Sequence, residues 1–133
     1  MIIRKLTDEV SVAEQIAITD IIKIKALGFN TIVNNRPDGE IPNQPTSEEM
    51  KAATLAAGLE YFYIPMGREG ASEQLINDTK KVLKNNSGAT LCYCRTGNRS
   101  TILWALSQSD KLDKDEIIKI ADAAGYDIYG LYI

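Results

Sequence analysis

Segments with the spacing of buried strands alternate with segments with the spacing of helices along most of this 133-residue chain. The predicted strands are residues 10–12, 31–34, 61–64 and 89–93, and the predicted helices are residues 20–27, 47–57, 73–83, 101–106 and 113–124. Strands that are separated by helices pair in parallel, because each crossover returns the chain to the same end of the sheet. We therefore expect an α/β fold of three layers, with a mainly parallel central sheet and helices on both faces.

Apolar residues make up 44% of the composition. A chain of this length buries roughly two-thirds of the surface that its unfolded form exposes, so one ordinary core is expected over residues 1–133. The 15 basic and 18 acidic side chains give a net charge of −3. This balance argues against nucleic acid or an anionic membrane as a partner, and any anion site must be local.

Apolar runs in this sequence stay shorter than the roughly 18 residues that a membrane span requires. Residues 1–5 lead into polar sequence rather than into the apolar core of a signal peptide. We therefore expect a cytoplasmic location.

The sequence contains no histidine, which removes Ser-His-Asp and Cys-His catalysis from consideration. It also leaves too few soft ligands for an ordinary zinc site, so we expect neither a metal nor another cofactor. Cys92 and Cys94 are the two cysteines. They lie only two residues apart along the predicted strand, a spacing that does not favour a disulfide, so both are expected to be free thiols, with Cys92 serving in packing.

The arrangement that most favours chemistry is an apolar strand that ends at Cys94, a polar loop and a helix that opens at about Ser100. Backbone N–H groups of such a loop can form an anion-binding nest, to which the helix N-terminus adds positive potential. The same field favours a nucleophilic thiolate at Cys94. Gly97 permits a positive φ, and Ser100 could donate a hydrogen bond to the sulfur. The predicted oxyanion-binding residues are Arg95, Thr96, Gly97, Asn98 and Arg99, whose guanidinium matches two oxygens of a phosphate or sulfate group.

Residues 93–100, followed by residues 103–106, resemble the phosphatase-like domain of the beta-lactamase hydrolase-like proteins. Further matches lie upstream in the expected order, and the resemblance covers roughly residues 1 to 110. These upstream matches are residues 3–6, 28–29, 34–40, 44–45 and 57–59. The resemblance implies the fold of protein tyrosine and dual-specificity phosphatases and a single phosphatase-like domain.

This resemblance also implies a mechanism. Cys94 would attack phosphorus and form a cysteinyl phosphate, Arg99 would bind the phosphoryl oxygens, and an acid on another loop would protonate the leaving group. In some relatives the domain is fused to a metallo-β-lactamase-type module associated with persulfide oxidation. A separately encoded partner of that type, or a homo-oligomer, is therefore among the expected associations.

Two departures from the tyrosine phosphatase pattern leave alternatives open. Four residues separate Cys94 from Arg99, where tyrosine phosphatases usually have five, and Tyr93 replaces their histidine. The shorter loop resembles that of rhodanese-type sulfurtransferases, in which the cysteine carries a persulfide, so sulfur transfer is the rival reaction. Oxyanion binding without chemistry is a third hypothesis. The candidate general acids are Asp38, in a loop rich in proline and glycine, and Glu69, in the loop after residue 64.

Overall fold

The computed structural model describes residues 1–132, which contain five strands and five α-helices. The strands are β1 (Ile3–Lys5), β2 (Val10–Ala13), β3 (Phe29–Asn34), β4 (Glu60–Tyr63) and β5 (Ala89–Tyr93). The helices are α1 (Ile21–Ala26), α2 (Ser47–Ala56), α3 (Glu73–Asn85), α4 (Asn98–Ser107) and α5 (Lys114–Ala123). Short 3₁₀ turns cover Ile18–Asp20 and Tyr129–Tyr132.

The five strands form one sheet in the order β1-β2-β5-β3-β4. All neighbouring strands pair in parallel except β1, which pairs antiparallel with β2 at one edge. The central strand β5 lies between β2 and β3, so the carboxyl ends of three strands meet at one edge of the sheet. The chain leaves β2 toward one face and leaves β5 toward the other. Such a switch point opens a crevice in which α/β proteins bind their ligands.

Two buried apolar clusters, one on each face of the sheet, confirm the predicted three layers. Side chains of α1 and α2 pack on one face, around Ile24, Met50 and Leu91. Helices α4 and α5 pack on the other, around Trp104 and Ile117. Successive residues of β5 alternate between the clusters, because neighbouring side chains of a strand point to opposite faces.

The helix ends follow from local sequence at some positions and not at others. A glycine after a helical segment indicates a left-handed helix end, and Gly28 and Gly58 have φ values of 101° and 84° just after α1 and α2. The Ser72 hydroxyl caps α3. Thr19 is a residue type that favours helix caps, but it does not cap α1, because the chain first makes a 3₁₀ turn and the α-helix begins at Ile21. The apolar run at 61–64 indicates core packing, but Phe62 is 37% exposed, because β4 is an edge strand.

The segment after α5 packs on its own chain. Ile128 is buried among the apolar residues of α4 and α5, and Tyr132 packs partly against the same cluster. The sequence alone leaves open whether residues 127–133 pack on their own domain or on a neighbour, and the last of them, Ile133, lies outside the described residues. The segment therefore returns to the side of the sheet that carries the Cys94 loop.

Candidate active site

Cys94 is the first residue after β5, at the edge where the carboxyl ends of β2 and β3 also lie. Its amide faces the carbonyl of Ala13 at the end of β2, at 3.4 Å. The chain then turns so that the Gly97 amide donates a hydrogen bond to the Cys94 Sγ, at 3.1 Å. Gly97 caps α4 with a φ of 92°, which confirms its predicted positive φ. An N–H donor at the start of a helix is thus directed at the sulfur, as an anionic thiolate requires.

Arg99, in the first turn of α4, is held by the loop that follows β3. Its Nη1 and Nη2 donate to the two carboxylate oxygens of Glu40, both at 2.8 Å, and Nη1 also donates to the Met66 carbonyl at 2.9 Å. The Glu40 hydrogen bonds raise the pKa of Arg99 against the opposing effect of burial, and the nearby Cys94 sulfur adds to the increase. Within residues 1–132, Arg99 Nε makes no side-chain hydrogen bond. The Nε edge of the guanidinium can therefore still receive an oxyanion.

Glu40 is the functional residue that the sequence reasoning missed. Besides Arg99, its Oε1 accepts a hydrogen bond from Arg36 Nε at 2.8 Å. The hydrogen bond from Arg99 is the main cause that lowers the pKa of Glu40 to about 2; burial opposes this shift and Arg36 supports it. Glu40 is therefore an anion at neutral pH and is unsuited to donate a proton. The i, i+4 spacing of Arg36 and Glu40 is compatible with an ion pair between these two residues. No local pattern in the sequence indicates the contact between Glu40 and Arg99.

Asn35 and Ser100 form a buried support beneath the loop. The Ser100 hydroxyl donates to Asn35 Oδ1 at 2.8 Å, and Asn35 Nδ2 donates to the Ile64 carbonyl at 2.9 Å. The sequence suggested that Ser100 donates to the sulfur of Cys94. In the structure, its hydroxyl donates to Asn35 instead. These bonds tie the start of α4 to the segments after β3 and β4.

Arg36 connects the site to the end of β2. Its side chain is only 3% exposed, and its Nη1 donates to Gln15 Oε1 at 3.0 Å. The Arg36 amide donates to Asn34 Oδ1 at 2.9 Å, which holds the turn after β3. Residues 34–36 thus stabilise this loop through side-chain hydrogen bonds.

The two candidate acids lie in different surroundings. Asp38 Oδ1 accepts a hydrogen bond from the Ser47 amide at 2.7 Å, so this carboxylate is engaged at the start of α2. The Asp38 amide donates to the Tyr63 hydroxyl at 2.9 Å. Glu69 is exposed, with its carboxylate beside Gly67, and makes no side-chain hydrogen bond to residues 1–132. Of the two, Glu69 has the carboxylate that is free to move.

The remaining predicted loop residues face outward. Arg95, Thr96 and Asn98 are exposed, and the Asn98 amide donates to Thr96 Oγ1 at 3.2 Å. The Arg95 carbonyl accepts from the Gln15 amide at 3.2 Å, which joins the loop to the end of β2. The Arg95 side chain makes no hydrogen bond among the described residues, and its role as an oxyanion ligand stays a prediction.

Cys92 lies on the opposite face of the sheet from its neighbours in β5 and is 3% exposed in the core beside α4. Burial raises the pKa of the Cys92 thiol to about 12, and the nearby Cys94 adds to the increase. Both cysteines are free thiols. The packing role predicted for Cys92 is confirmed.

The Cys94 sulfur is closed off from solvent, since Cys94 is 0% exposed. A cavity of about 100 Å³, which Arg4, Thr96 and Tyr126 help to line, touches the loop at Thr96. A larger cavity of about 500 Å³ lies between β4 and α3 and includes no residue of the Cys94 loop. Neither cavity is lined by the sulfur, so we assign the chemistry to the loop itself, where the Gly97 amide binds the free thiol.

Within residues 1–132, no cluster of three or more histidine, cysteine, aspartate or glutamate side chains is arranged to hold a metal ion. None of the helices in this range combines the length and the apolar character needed to cross a membrane.

Comparison with known proteins places this site in a family. The family model of the beta-lactamase hydrolase-like protein, phosphatase-like domain, matches residues 2–111. A beta-lactamase hydrolase-like protein of Xylella fastidiosa is 30% identical over 125 residues, which are 92% of this chain and 29% of that protein. The chain thus spans less than a third of the length of the curated relatives that it matches.

Solved structures show the same fold. A candidate phosphatase of Neisseria meningitidis, 30% identical, superposes with a TM-score of 0.84 over 98% of this chain and 94% of its own. A kinase-associated phosphatase with its catalytic-site cysteine replaced by serine is 14% identical and shares the fold, with a TM-score of 0.67 over 87% of this chain and 75% of its own. The chain therefore belongs to the family of the beta-lactamase hydrolase-like protein, phosphatase-like domain, and has the fold of the protein tyrosine phosphatases.

Proposed function

We propose that this chain is a cysteine-dependent phosphatase in which Cys94 is the nucleophile. The observation that carries the proposal is the hydrogen bond from the Gly97 amide to the Cys94 Sγ at the start of α4, close to the guanidinium of Arg99. Donors directed at one point favour both a thiolate and the oxygens of a phosphoryl group. The phosphatases that share the fold, including one with a catalytic-site cysteine, support the same assignment.

The reaction has two steps. The Cys94 thiolate forms a bond to phosphorus, and the bond between phosphorus and the ester oxygen breaks. The leaving oxygen keeps that electron pair and takes a proton. Water then attacks the cysteinyl phosphate, which releases phosphate and restores the thiolate. Arg99 and the loop amides stabilise the charge on the phosphoryl oxygens in both steps.

Substrate access requires movement, because Cys94 is 0% exposed. The Glu40 carboxylate binds Nη1 and Nη2 of Arg99 and leaves the Nε edge of the guanidinium open. The ion pair between Glu40 and Arg99 can therefore stay intact while a phosphate binds. The groups that must move are those around the sulfur in the 94–99 loop. We therefore expect small phosphate monoesters to react before bulky ones.

Incubation with p-nitrophenyl phosphate, followed by rapid denaturation at neutral to alkaline pH and peptide mass spectrometry, tests the proposal. We expect phosphate release between pH 5 and pH 8 and a phosphoryl group on the Cys94 peptide, because denaturation stops the enzyme-catalysed hydrolysis of the cysteinyl phosphate. The Cys94→Ser variant should lose both signals. The matched control, Cys92→Ser, should keep both, since that thiol is buried in the core beside α4 and burial raises its pKa to about 12. Absence of release in the unaltered chain, or an adduct on another residue, contradicts the proposal.

A comparison of two carboxyl variants tests the general acid, for which we propose Glu69. Glu69→Gln should slow the hydrolysis of phenyl phosphate by about 100-fold and that of p-nitrophenyl phosphate much less, because a good leaving group departs without a proton. Asp38→Asn should instead lower the free energy of unfolding by about 1 kcal/mol, through its contact with the Ser47 amide. A leaving-group dependence in Asp38→Asn, and not in Glu69→Gln, would reverse the assignment.

Sulfur transfer is the second candidate, because none of the carboxylates near the loop is fixed as a proton donor. Asp38 binds the start of α2, Glu40 is held by two arginines, and Glu69 makes no hydrogen bond within the described chain. With thiosulfate, the Cys94 thiolate would bond to the outer sulfur, and sulfite would leave with the electron pair, so no acid is needed. In the same mass spectrometry, sulfur transfer predicts one added sulfur atom on Cys94. Retained phosphate binding with neither adduct would leave only the non-catalytic role.

A further inference from the structure

Tyr126 contacts the Cys94 loop from a part of the chain that lies outside the family match, which ends at residue 111. Its hydroxyl donates to the Thr96 carbonyl at 3.2 Å. The phenol also lies directly against the backbone of Gly97: a Cβ built on that glycine would lie 2.9 Å from Tyr126 Cζ and closer still to the hydroxyl oxygen. No other side chain of the described residues bonds to this carbonyl.

The end of α5 explains why Tyr126 reaches the loop. Gly125 has a φ of 98°, and its amide donates to the Asp122 carbonyl, while the Tyr126 amide donates to the Ala121 carbonyl. These two bonds form a Schellman motif, which ends the helix and turns the chain sharply. The direction of Tyr126 is therefore fixed by a glycine-dependent turn rather than by a free tail.

Arg4 holds the aromatic ring from the other side. Its guanidinium carbon lies 5.9 Å from the centre of the Tyr126 ring, and its Nη1 donates to the Ala124 carbonyl at 3.2 Å. A cation over an aromatic face adds a modest attraction at a partly exposed site. Tyr126 is thus clamped between strand β1 and the Cys94 loop.

One peptide group joins Tyr126 to the nucleophile. The carbonyl that Tyr126 binds belongs to Thr96, and the N–H of the same peptide unit is the Gly97 amide that binds the Cys94 Sγ. In a planar trans peptide, C=O and N–H point in opposite directions. When the hydroxyl holds the oxygen outward, the N–H must therefore point inward, toward the sulfur. A rotation of this unit would break both bonds together.

We infer that Tyr126 is a positioning residue, which holds the peptide between Thr96 and Gly97 in the orientation that directs an amide at Cys94. The inference rests on the proposed function, because it assigns the amide a part in that chemistry. Arg4 and the turn at Gly125 act through Tyr126. The catalytic loop of this chain is therefore completed by its C-terminal segment.

The Tyr126→Phe variant tests the inference, because it removes the hydroxyl and keeps the ring against Gly97. We expect kcat for p-nitrophenyl phosphate to fall about 10-fold with KM nearly unchanged. The reason is that a misdirected Gly97 amide would stabilise the transition state less but would hardly affect substrate binding. We also expect a smaller thiolate absorbance at 240 nm near neutral pH, after subtraction of the Cys94→Ser spectrum, and a changed amide proton shift for Gly97. The matched control is Tyr129→Phe, since Tyr129 is 57% exposed in the same segment.

The thiolate and amide signals are measured without turnover, so they separate this inference from the proposed function. Should the unaltered chain hydrolyse no phosphate ester, the proposed function fails, whereas changed thiolate and amide signals in Tyr126→Phe would still support the positioning role. A lower melting temperature with unchanged thiolate absorbance, Gly97 shift and kcat would show that Tyr126 only stabilises the fold. That result would overturn the inference, as would equal effects in Tyr129→Phe.

Discussion

Replacement of Arg99 with lysine is expected to lower kcat/KM for p-nitrophenyl phosphate by about 1,000-fold, because a single ammonium group cannot bind two phosphoryl oxygens and Glu40 at once. In the native site, Nη1 and Nη2 bind Glu40 and Nη1 also binds Met66, which leaves the Nε edge for substrate. Lysine keeps the charge, so the loss should come from geometry. Steady-state kinetics of the purified variant would measure it, with both kcat and KM affected.

The matched control for this variant is Arg68→Lys, since the Arg68 side chain is exposed and makes no hydrogen bond within residues 1–132. We expect its kcat/KM to stay within about threefold of the unaltered chain, as for most surface substitutions. Circular dichroism should show both variants folded. A folded Arg99→Lys variant that retained most of its activity would show that this guanidinium does not bind the phosphoryl group.

Replacement of Glu40 with glutamine should remove the group that orients Arg99. The amide cannot accept both Arg99 hydrogen bonds, so the guanidinium loses its fixed position, and we expect kcat/KM to fall by about 100-fold. The free energy of unfolding should also fall at neutral pH. We place this loss at about 1 kcal/mol, because the 29% exposed carboxylate is screened by solvent.

The ionisation of Glu40 determines how the free energy of unfolding changes with pH. Arg99 is the main cause that lowers the pKa of Glu40 from 4.5 to about 2. The stabilisation is therefore fully present above pH 4.5 and is lost as the pH falls toward 2. Urea unfolding at several pH values should show the unaltered chain and Glu40→Gln converging over this interval. Glu9→Gln, at an exposed site, is the control, and a gap that stayed constant with pH would contradict the ion-pair account.

The sequence was sufficient to predict the layers of the fold and the loop that carries Cys94. The strand at residues 89–93 was predicted with the bounds that β5 has, because an apolar run between turn residues leaves little choice. The loop at Cys94 was also predicted from local sequence, because a glycine between a predicted strand and a predicted helix indicates a turn of the chain. Strand β1 was missed, because its residues alternate weakly and it pairs only at the edge of the sheet.

The partners of the site could not be predicted from local patterns. Glu40 binds Arg99 across 59 positions of sequence, and Tyr126 binds the Thr96 carbonyl across 30. Neither pair leaves a periodic signal, because such contacts depend on where separate loops meet at the sheet edge. For Ser100 the sequence suggested a contact that does not form. Its place near Cys94 in the loop suggested a hydrogen bond to the sulfur, but Asn35 offers a buried acceptor that the sequence did not reveal.

The burial of both cysteines affects how the chain responds to oxidants. Peroxide converts a reactive thiolate to a sulfenic acid, which a neighbouring thiol can trap as a disulfide before further oxidation. Cys92 is 3% exposed in the core, and burial raises the pKa of its thiol to about 12, so at neutral pH it is a protonated thiol and a poor nucleophile toward such a sulfenic acid. Repair of an oxidised Cys94 therefore depends on a thiol supplied from outside and on a movement that first exposes the sulfur, because Cys94 is 0% exposed.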